Sequence, residues 1–267
     1  MKLNLILFGF LLLLENAGNN ELSAQITAAV QEPVVGIAEH VGRKLPADIY
    51  ITDEKGELVN LNKMIDKPTV ITFVYYRCPG LCSPLLDGLA DAIDRTALEI
   101  GTDYQVFTIS FDPSEGTALA RQKKASYLGS MSNKKAGAGW HFFTADSLNV
   151  ARITSATGFK YKRTGKDFLH AATLIMVNPN AKISRYLNGT HYKTADFKLA
   201  ILDVTPLNTS NLSDQVEAYF FKFDPVLKQY QLKSGKIAGL AIVILSIGFF
   251  LFLMLKPAAK KNLHADK

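Results

Sequence analysis

Apolar residues are distributed along this chain in two ways: as long runs near both ends, and as short stretches of strand or helix period between them. Among the short stretches, Thr69-Val70-Ile71-Thr72-Phe73-Val74-Tyr75 is β-branched and aromatic throughout, which predicts a buried strand. The segment after it, from Ser83 to Ile93, carries apolar residues at helical spacing, with Ser83 as its N-cap and Pro84 at its first position. Further on, 104–111 predicts a second core strand, ended by Asp112-Pro113, and 117–128 a helix. A Lys/Gly-rich loop at 134–139 precedes a short strand at 140–143 and a helix at 147–157. Strands at 172–177 and 182–187, joined by Asn178-Pro179-Asn180-Ala181, predict a hairpin, and 195–204 a closing helix. An earlier hairpin is expected from Ile49-Tyr50-Ile51 and Leu58-Val59-Asn60-Leu61 around the Glu54–Glu57 turn. Strands alternating with helices, then a late hairpin, give an α/β fold: a mixed β-sheet with flanking helices.

The long runs mark the ends. Residues 1–24 have the layout of a signal peptide: Lys2, an apolar stretch from Leu3 to Leu14, then a polar region closing at Ala24. From Ile237 to Leu255 no residue is charged, and a helix of that length matches the hydrocarbon core of a bilayer. Residues 237–255 are therefore expected to form one C-terminal transmembrane helix. Four lysines against Asp266 follow it, so 256–267 reads as a cytoplasmic tail, with the globular part on the outer side. Between the ends, 25–44 is thinly apolar and expected to be an extended arm, 45–205 the domain, and 206–236 a membrane-proximal segment. Within that segment 217–223 is aromatic enough for a docking strand or, better, a core strand.

The formal net charge of +6 owes much to the lysine-rich tail, and no basic stripe with interleaved aromatics occurs, so a nucleic-acid partner is not implied.

Chemistry concentrates where the first core strand ends. The chain has two cysteines, both in Tyr75-Tyr76-Arg77-Cys78-Pro79-Gly80-Leu81-Cys82. A disulfide closing so short a loop would contribute only about 2 kcal/mol by restraining the unfolded chain. A redox dithiol or a metal pair explains the position better. On a strand-to-helix turn, Cys82 lies near the positive end of a helix, and that field favours the thiolate, which is both nucleophile and metal ligand.

The order strand, dithiol, helix, strand, helix, strand, strand, helix resembles the thioredoxin fold, although three residues rather than two separate the cysteines. More specifically, the chain resembles the Sco/SenC family. The matching pieces are 73–82, Ser110-Phe111-Asp112-Pro113, Gly139-Trp140-His141-Phe142, Phe168-Leu169-His170-Ala171-Ala172 and 184–189, together spanning roughly 45–205. The resemblance implies a copper-handling protein of respiratory oxidase assembly, with Cys78, Cys82 and His170 as ligands. Two sulfurs and an imidazole suit both Cu(I) and Cu(II). The chain departs from many relatives in having Ser83 rather than proline after the second cysteine, and an aspartate, Asp167, three residues before the histidine.

Other residues have milder expectations. His141 is a packed core histidine; His40, His191 and His264 are solvated. Asp112 caps its own Asp-Pro turn, with tuning of a thiol or a ligand histidine as its alternative. Tyr75, Tyr76 and Arg77 flank the dithiol, and Arg77 is expected either to lower a thiol pKa or simply to face solvent.

Two functions follow from the resemblance. The first is a single-pass, membrane-anchored copper chaperone facing the periplasm or exterior, delivering copper to the dinuclear copper centre of a terminal oxidase. It implies an oxidase subunit, a copper donor and a thiol reductant as partners. The alternative is a thiol–disulfide oxidoreductase in which Cys78 and Cys82 are catalytic. A sensor signalling through the membrane helix is disfavoured by the short tail.

Overall fold

A computed structural model describes residues 35–206 and 211–255. The expected signal peptide, the first part of the arm and the expected tail with His264 lie outside the described residues.

Described in chain order, the elements are β1 (Gly36–Ile37), β2 (Tyr50–Asp53), β3 (Leu58–Asn60), α1 (Leu61–Met64), β4 (Thr69–Val74), α2 (Cys82–Arg95), β5 (Gln105–Ser110) and α3 (Thr117–Ser130). A 3-10 turn at Lys134–Ala138 leads into β6 (Trp140–Thr144), α4 (Ser147–Thr157), β7 (Phe159–Lys160), β8 (Lys162–Thr164), β9 (Asp167–Leu169), β10 (Thr173–Val177) and β11 (Ile183–Asn188). Then come α5 (Thr194–Leu202), α6 (Leu212–Phe220), β12 (Phe221–Asp224), β13 (Gln229–Leu232) and α7 (Ser234–Leu255).

Seven strands form one mixed sheet in the order β11-β10-β4-β5-β6-β2-β3. β4, β5 and β6 run parallel, and every other pairing in the sheet is antiparallel. Each of the six residues in β4 and in β5 is buried, as expected for central strands covered on both faces. Because β10 runs against β4, with Ile175 opposite Ile71, the beginning of β10 lies beside the end of β4. That antiparallel step brings the segment before β10 to the turn that follows β4.

Helix α2 buries Cys82, Leu85, Leu86, Leu89, Ala92 and Ile93 along one stripe, each buried leucine contributing roughly 2 kcal/mol. Gly88 sits on its outer side against the chain at Thr190, whose carbonyl oxygen would be 1.8 Å from any added Cβ. Alanine would therefore push α2 away from that turn.

Two expectations need correcting, the start of α2 and the single strand at 217–223. Helix α2 begins at Cys82 with Leu81 in the cap position, and no side chain caps it; Ser83 and Pro84 lie inside the first turn. The described part of the arm is integrated: β1 pairs with β7, Ala38 N–H donates to Gly158 O, and Leu45 N–H to Ala181 O. Gly158 ends α4 in the left-handed conformation at φ 68°, its backbone so close to Ala38 that a Cβ there would lie 1.8 Å from the Ala38 carbonyl oxygen. The aromatic segment 217–223 is not one strand. Its first half completes α6, because Asn211 caps a helix there, and only its end enters the β12–β13 hairpin. Residues 162–169, unassigned by hydrophobic pattern, form the β8–β9 hairpin, whose residues are exposed except Phe168.

Past Lys236 α7 carries no charged residue, and Ser234–Phe252 has a mean hydropathy of 2.2, long and apolar enough to cross a membrane.

Candidate metal and dithiol site

The chain leaves β4 at Val74 into two buried tyrosines and then an exposed turn. Tyr76 anchors this exit from below, its hydroxyl donating to the Phe143 carbonyl at 2.7 Å and the Thr108 carbonyl at 3.1 Å. From the side, the exit is held by Glu115, buried in the turn between β5 and α3. One Glu115 carboxylate oxygen accepts from Tyr76 N–H at 2.6 Å and from the Ser110 hydroxyl at 2.6 Å; the other accepts from Arg77 N–H at 2.8 Å. A buried carboxylate taking charge-assisted bonds from successive backbone amides fixes the path of the dithiol turn. Residue type alone did not reveal this role, although an acid just past a strand end on the same sheet edge was the available signal.

Cys78 is half-buried, and Cys82, the first residue of α2, is buried; both are free thiols. Cys82 N–H donates to Cys78 Sγ at 3.4 Å. Cys82 Sγ in turn lies 3.2 Å from Nε2 of His170, which stands between β9 and β10. The other ring nitrogen, Nδ1, is 2.9 Å from the Ala171 carbonyl, which only accepts, so Nδ1 carries the hydrogen and Nε2 presents its lone pair. The two sulfurs and a ring nitrogen of His170 all lie within 4.8 Å of one another, a group able to hold a metal ion.

Aromatic rings form the wall behind them. His170 meets Phe111 at 5.2 Å, Tyr75 at 6.0 Å and Phe159 at 6.1 Å between ring centroids. The β8–β9 hairpin supplies Phe168, which packs on Tyr75 and Phe111, and so delivers the chain to His170.

Electrostatics divide the thiols. Burial opposes charge at Cys78, but hydrogen bonds from the Cys82 thiol, the backbone at Cys82 and Gly80, and the Tyr75 hydroxyl outweigh it and hold this thiol below its ordinary value. At Cys82, burial and the hydrogen it shares with Cys78 push the thiol well above it. The expectation that the helix field favours a thiolate at Cys82 is thus corrected: burial of the sulfur wins at Cys82, and Cys78 is the activated partner. Burial also depresses the His170 pKa, against a smaller opposing effect of the Ala171 carbonyl, leaving the imidazole neutral and ready to ligate at neutral pH.

The remaining candidates stand apart. Asp112 accepts from Ser114 N–H at 3.0 Å, closing its own turn, as expected. Arg77 faces solvent, and the groups that lower Cys78 are those named above. His141 packs edge-on to Phe107. His40, expected to be solvated, has Nδ1 3.0 Å from the Ala156 carbonyl and is half-buried; His191 is exposed.

A thioredoxin-like sheet with a CxxxC turn at one strand end, and a histidine brought to it by the neighbouring antiparallel strand, defines a dithiol–imidazole protein. Residues 42–204, more than half of the chain, match the SCO1/SenC family pattern, and the chain belongs to that family. Among solved structures, a putative electron transfer protein from Aquifex aeolicus VF5 is 25% identical, covering 60% of this chain and 92% of that one at a TM-score of 0.55. A SCO1/SenC family lipoprotein from Bacillus anthracis str. Ames shares the fold at 15% identity, covering 62% and 97% of the two chains, TM-score 0.50. The Arabidopsis thaliana ScoI structure with copper bound aligns at 19% identity over 59% and 92%, TM-score 0.46. No curated protein matches the sequence.

Proposed function

We propose that this chain is a membrane-tethered copper chaperone that takes up copper outside the cytoplasm and passes it to the dinuclear copper centre of a terminal oxidase. The observation that carries the reading is the convergence of Cys78, Cys82 and the lone-pair nitrogen of His170 within 4.8 Å. Copper here is cargo. Thiolates suit Cu(I), imidazole suits either oxidation state, and three protein donors leave a position through which an acceptor's ligand can enter. A structural zinc site would ordinarily take four protein ligands.

The residues divide the work by exposure and acidity. Cys78, half-exposed and with its pKa lowered, is the more readily ionised thiol and the one that meets an incoming ion first. Cys82 ligates by giving up its proton, so uptake releases a proton to solvent. Nε2 of His170 completes the set without a proton change, being already neutral. Ligand exchange with the acceptor then moves the ion without releasing it to water. The pair must be reduced to bind, so a thiol reductant is part of the cycle. α7 as the membrane anchor, with the domain on the periplasmic or outer side, would keep the site close to an oxidase embedded in the same membrane.

A second reading rests on the unequal thiols. Cys78 thiolate attacks a partner disulfide, one partner sulfur leaves as thiolate, and Cys82 resolves the mixed disulfide, leaving Cys78–Cys82 oxidised and the partner reduced. His170 is needed for ligation and dispensable for exchange.

The test is transfer. Full-length protein in detergent, loaded with Cu(I), is mixed with the apo copper-accepting domain of a terminal oxidase, and both are re-isolated. Movement of copper from the wild type, and none from a His170→Ala sample treated identically, supports delivery. Retained copper with rapid reduction of an oxidised acceptor supports the exchange reading instead.

A further inference from the structure

Helix α6 is amphipathic in the opposite sense from a soluble surface helix. Its charged residues face the domain: Lys198 of α5 lies 2.9 Å from the Asp214 carboxylate and 2.5 Å from that of Glu217, and Asp214 is buried. Asn211 caps its N-terminus through Asp214 N–H at 2.8 Å. Three of its large apolar residues point away. Leu212, Val216 and Tyr219 fall on one face at i, i+4 and i+7, and are 77%, 47% and 55% exposed. A short helix that turns its carboxylates inward and an apolar stripe outward needs an apolar neighbour for that stripe.

The neighbour is indicated by what joins α6 at its end. Lys233 N–H donates to the Phe220 carbonyl, and Lys233 Nζ to the carbonyl of Tyr219 at 3.0 Å. Lys236, in the first turn of α7, places Nζ 3.3 Å from the centroid of the Tyr219 ring. The C-terminus of α6 is therefore fastened to the entrance of the apolar helix α7. An aromatic ring, two lysines and an apolar stripe at the mouth of a membrane span have the composition of a bilayer interface, where tyrosine and lysine present a greasy body and a polar head.

We propose that α6 is an interfacial helix, its Leu212–Val216–Tyr219 face lying among the lipid headgroups and upper acyl chains of the bilayer that α7 crosses. This rests on α7 being the membrane anchor. Because the Lys198 fork holds α6 to α5, contact with lipid would set the tilt of the whole domain and so the height of the dithiol above the membrane.

The full chain is tested in phosphatidylcholine–phosphatidylglycerol nanodiscs by tryptophan quenching with brominated lipids. The native Trp140 is fully buried and provides a background to subtract. Two exposed positions receive reporters in separate variants, Val216→Trp on α6 and Phe249→Trp within α7. The proposal expects both to lose emission, Val216→Trp most with lipids brominated high on the chain and Phe249→Trp with lipids brominated near its end. Quenching of Phe249→Trp alone overturns the interfacial helix and leaves the anchor standing. Val216→Trp emission that is shielded from water yet unquenched overturns it in favour of a second copy or another protein on that face. Quenching of neither overturns the anchor and the proposal together.

Discussion

Cys82 Sγ stands 3.2 Å from His170 Nε2 although 88 positions separate the two residues. The contact exists because β10 runs antiparallel to β4, which returns the chain to the dithiol turn immediately before β10 begins. His170 is held there by rings on three sides and by its own bond to Ala171. Its loss should weaken copper binding by more than the roughly 10–100-fold that removal of an outer-shell partner costs. Disulfide exchange by the same variant should be near that of wild type, as measured with a small aromatic disulfide.

The two thiols should react unequally. Short exposure of the reduced protein to iodoacetamide near neutral pH, followed by peptide mass mapping, should place the adduct on Cys78, which is half-exposed and lowered, and leave buried Cys82 unmodified. Preferential modification of Cys82 would reverse the assignment of attacking and resolving thiol.

Glu115 supports the turn through three donors. Glu115→Gln replaces one acceptor oxygen with an amide that points hydrogens at hydrogens, and should cost about 1–3 kcal/mol in unfolding stability. Its copper affinity should fall with both cysteines and His170 intact, and the absorption of the Cu(II) form should broaden, since the sulfurs are no longer held in one arrangement. A stability loss with an unchanged spectrum would make Glu115 a purely structural residue.

Burial lowers the pKa of His170, with the Ala171 carbonyl acting in the opposite direction, and burial is the largest lowering effect at His141 too. Below the ordinary imidazole value, the unfolded chain binds protons that these folded residues refuse, so stability should fall as pH drops through that value toward the lowered folded ones. Denaturant unfolding between neutral and mildly acid pH should show this slope, and His170→Gln should remove part of it.

Gly158 occupies φ 68° with its backbone against Ala38. Gly158→Ala should destabilise by more than about 1 kcal/mol. Limited proteolysis should then cut first within residues 36–44, as β1 comes away from β7.

The parts of this architecture carried by local pattern were readable from residues alone. The β-branched run 69–75, the periodic stripe behind Cys82 and the Asn-Pro-Asn turn each specify an element whose neighbours agree with it. Elements decided by tertiary context were not. Residues 162–164 are Lys-Arg-Thr, a poor strand by composition, yet pair with 167–169 because Phe168 anchors the return against Tyr75 and Phe111. The 217–223 segment looks like a strand because it is aromatic, but the Asn211 cap and the Lys198 fork commit its first half to a helix. At the site, the motif located both cysteines and resemblance located His170. The order of thiol acidity was not readable, because a helix end lowers a pKa and burial raises it, and only packing decides between them.

The central claim is that the dithiol and His170 act as one copper site. Full-length protein in detergent, reduced and anaerobic, should be titrated with Cu(I) against a competing chelator and with Cu(II) by absorption, alongside His170→Ala and Cys78→Ser. One copper bound tightly per chain, with a thiolate-to-Cu(II) charge-transfer band lost in both variants, is the predicted result. Weak binding that is indifferent to His170, accompanied by fast disulfide exchange, would contradict it.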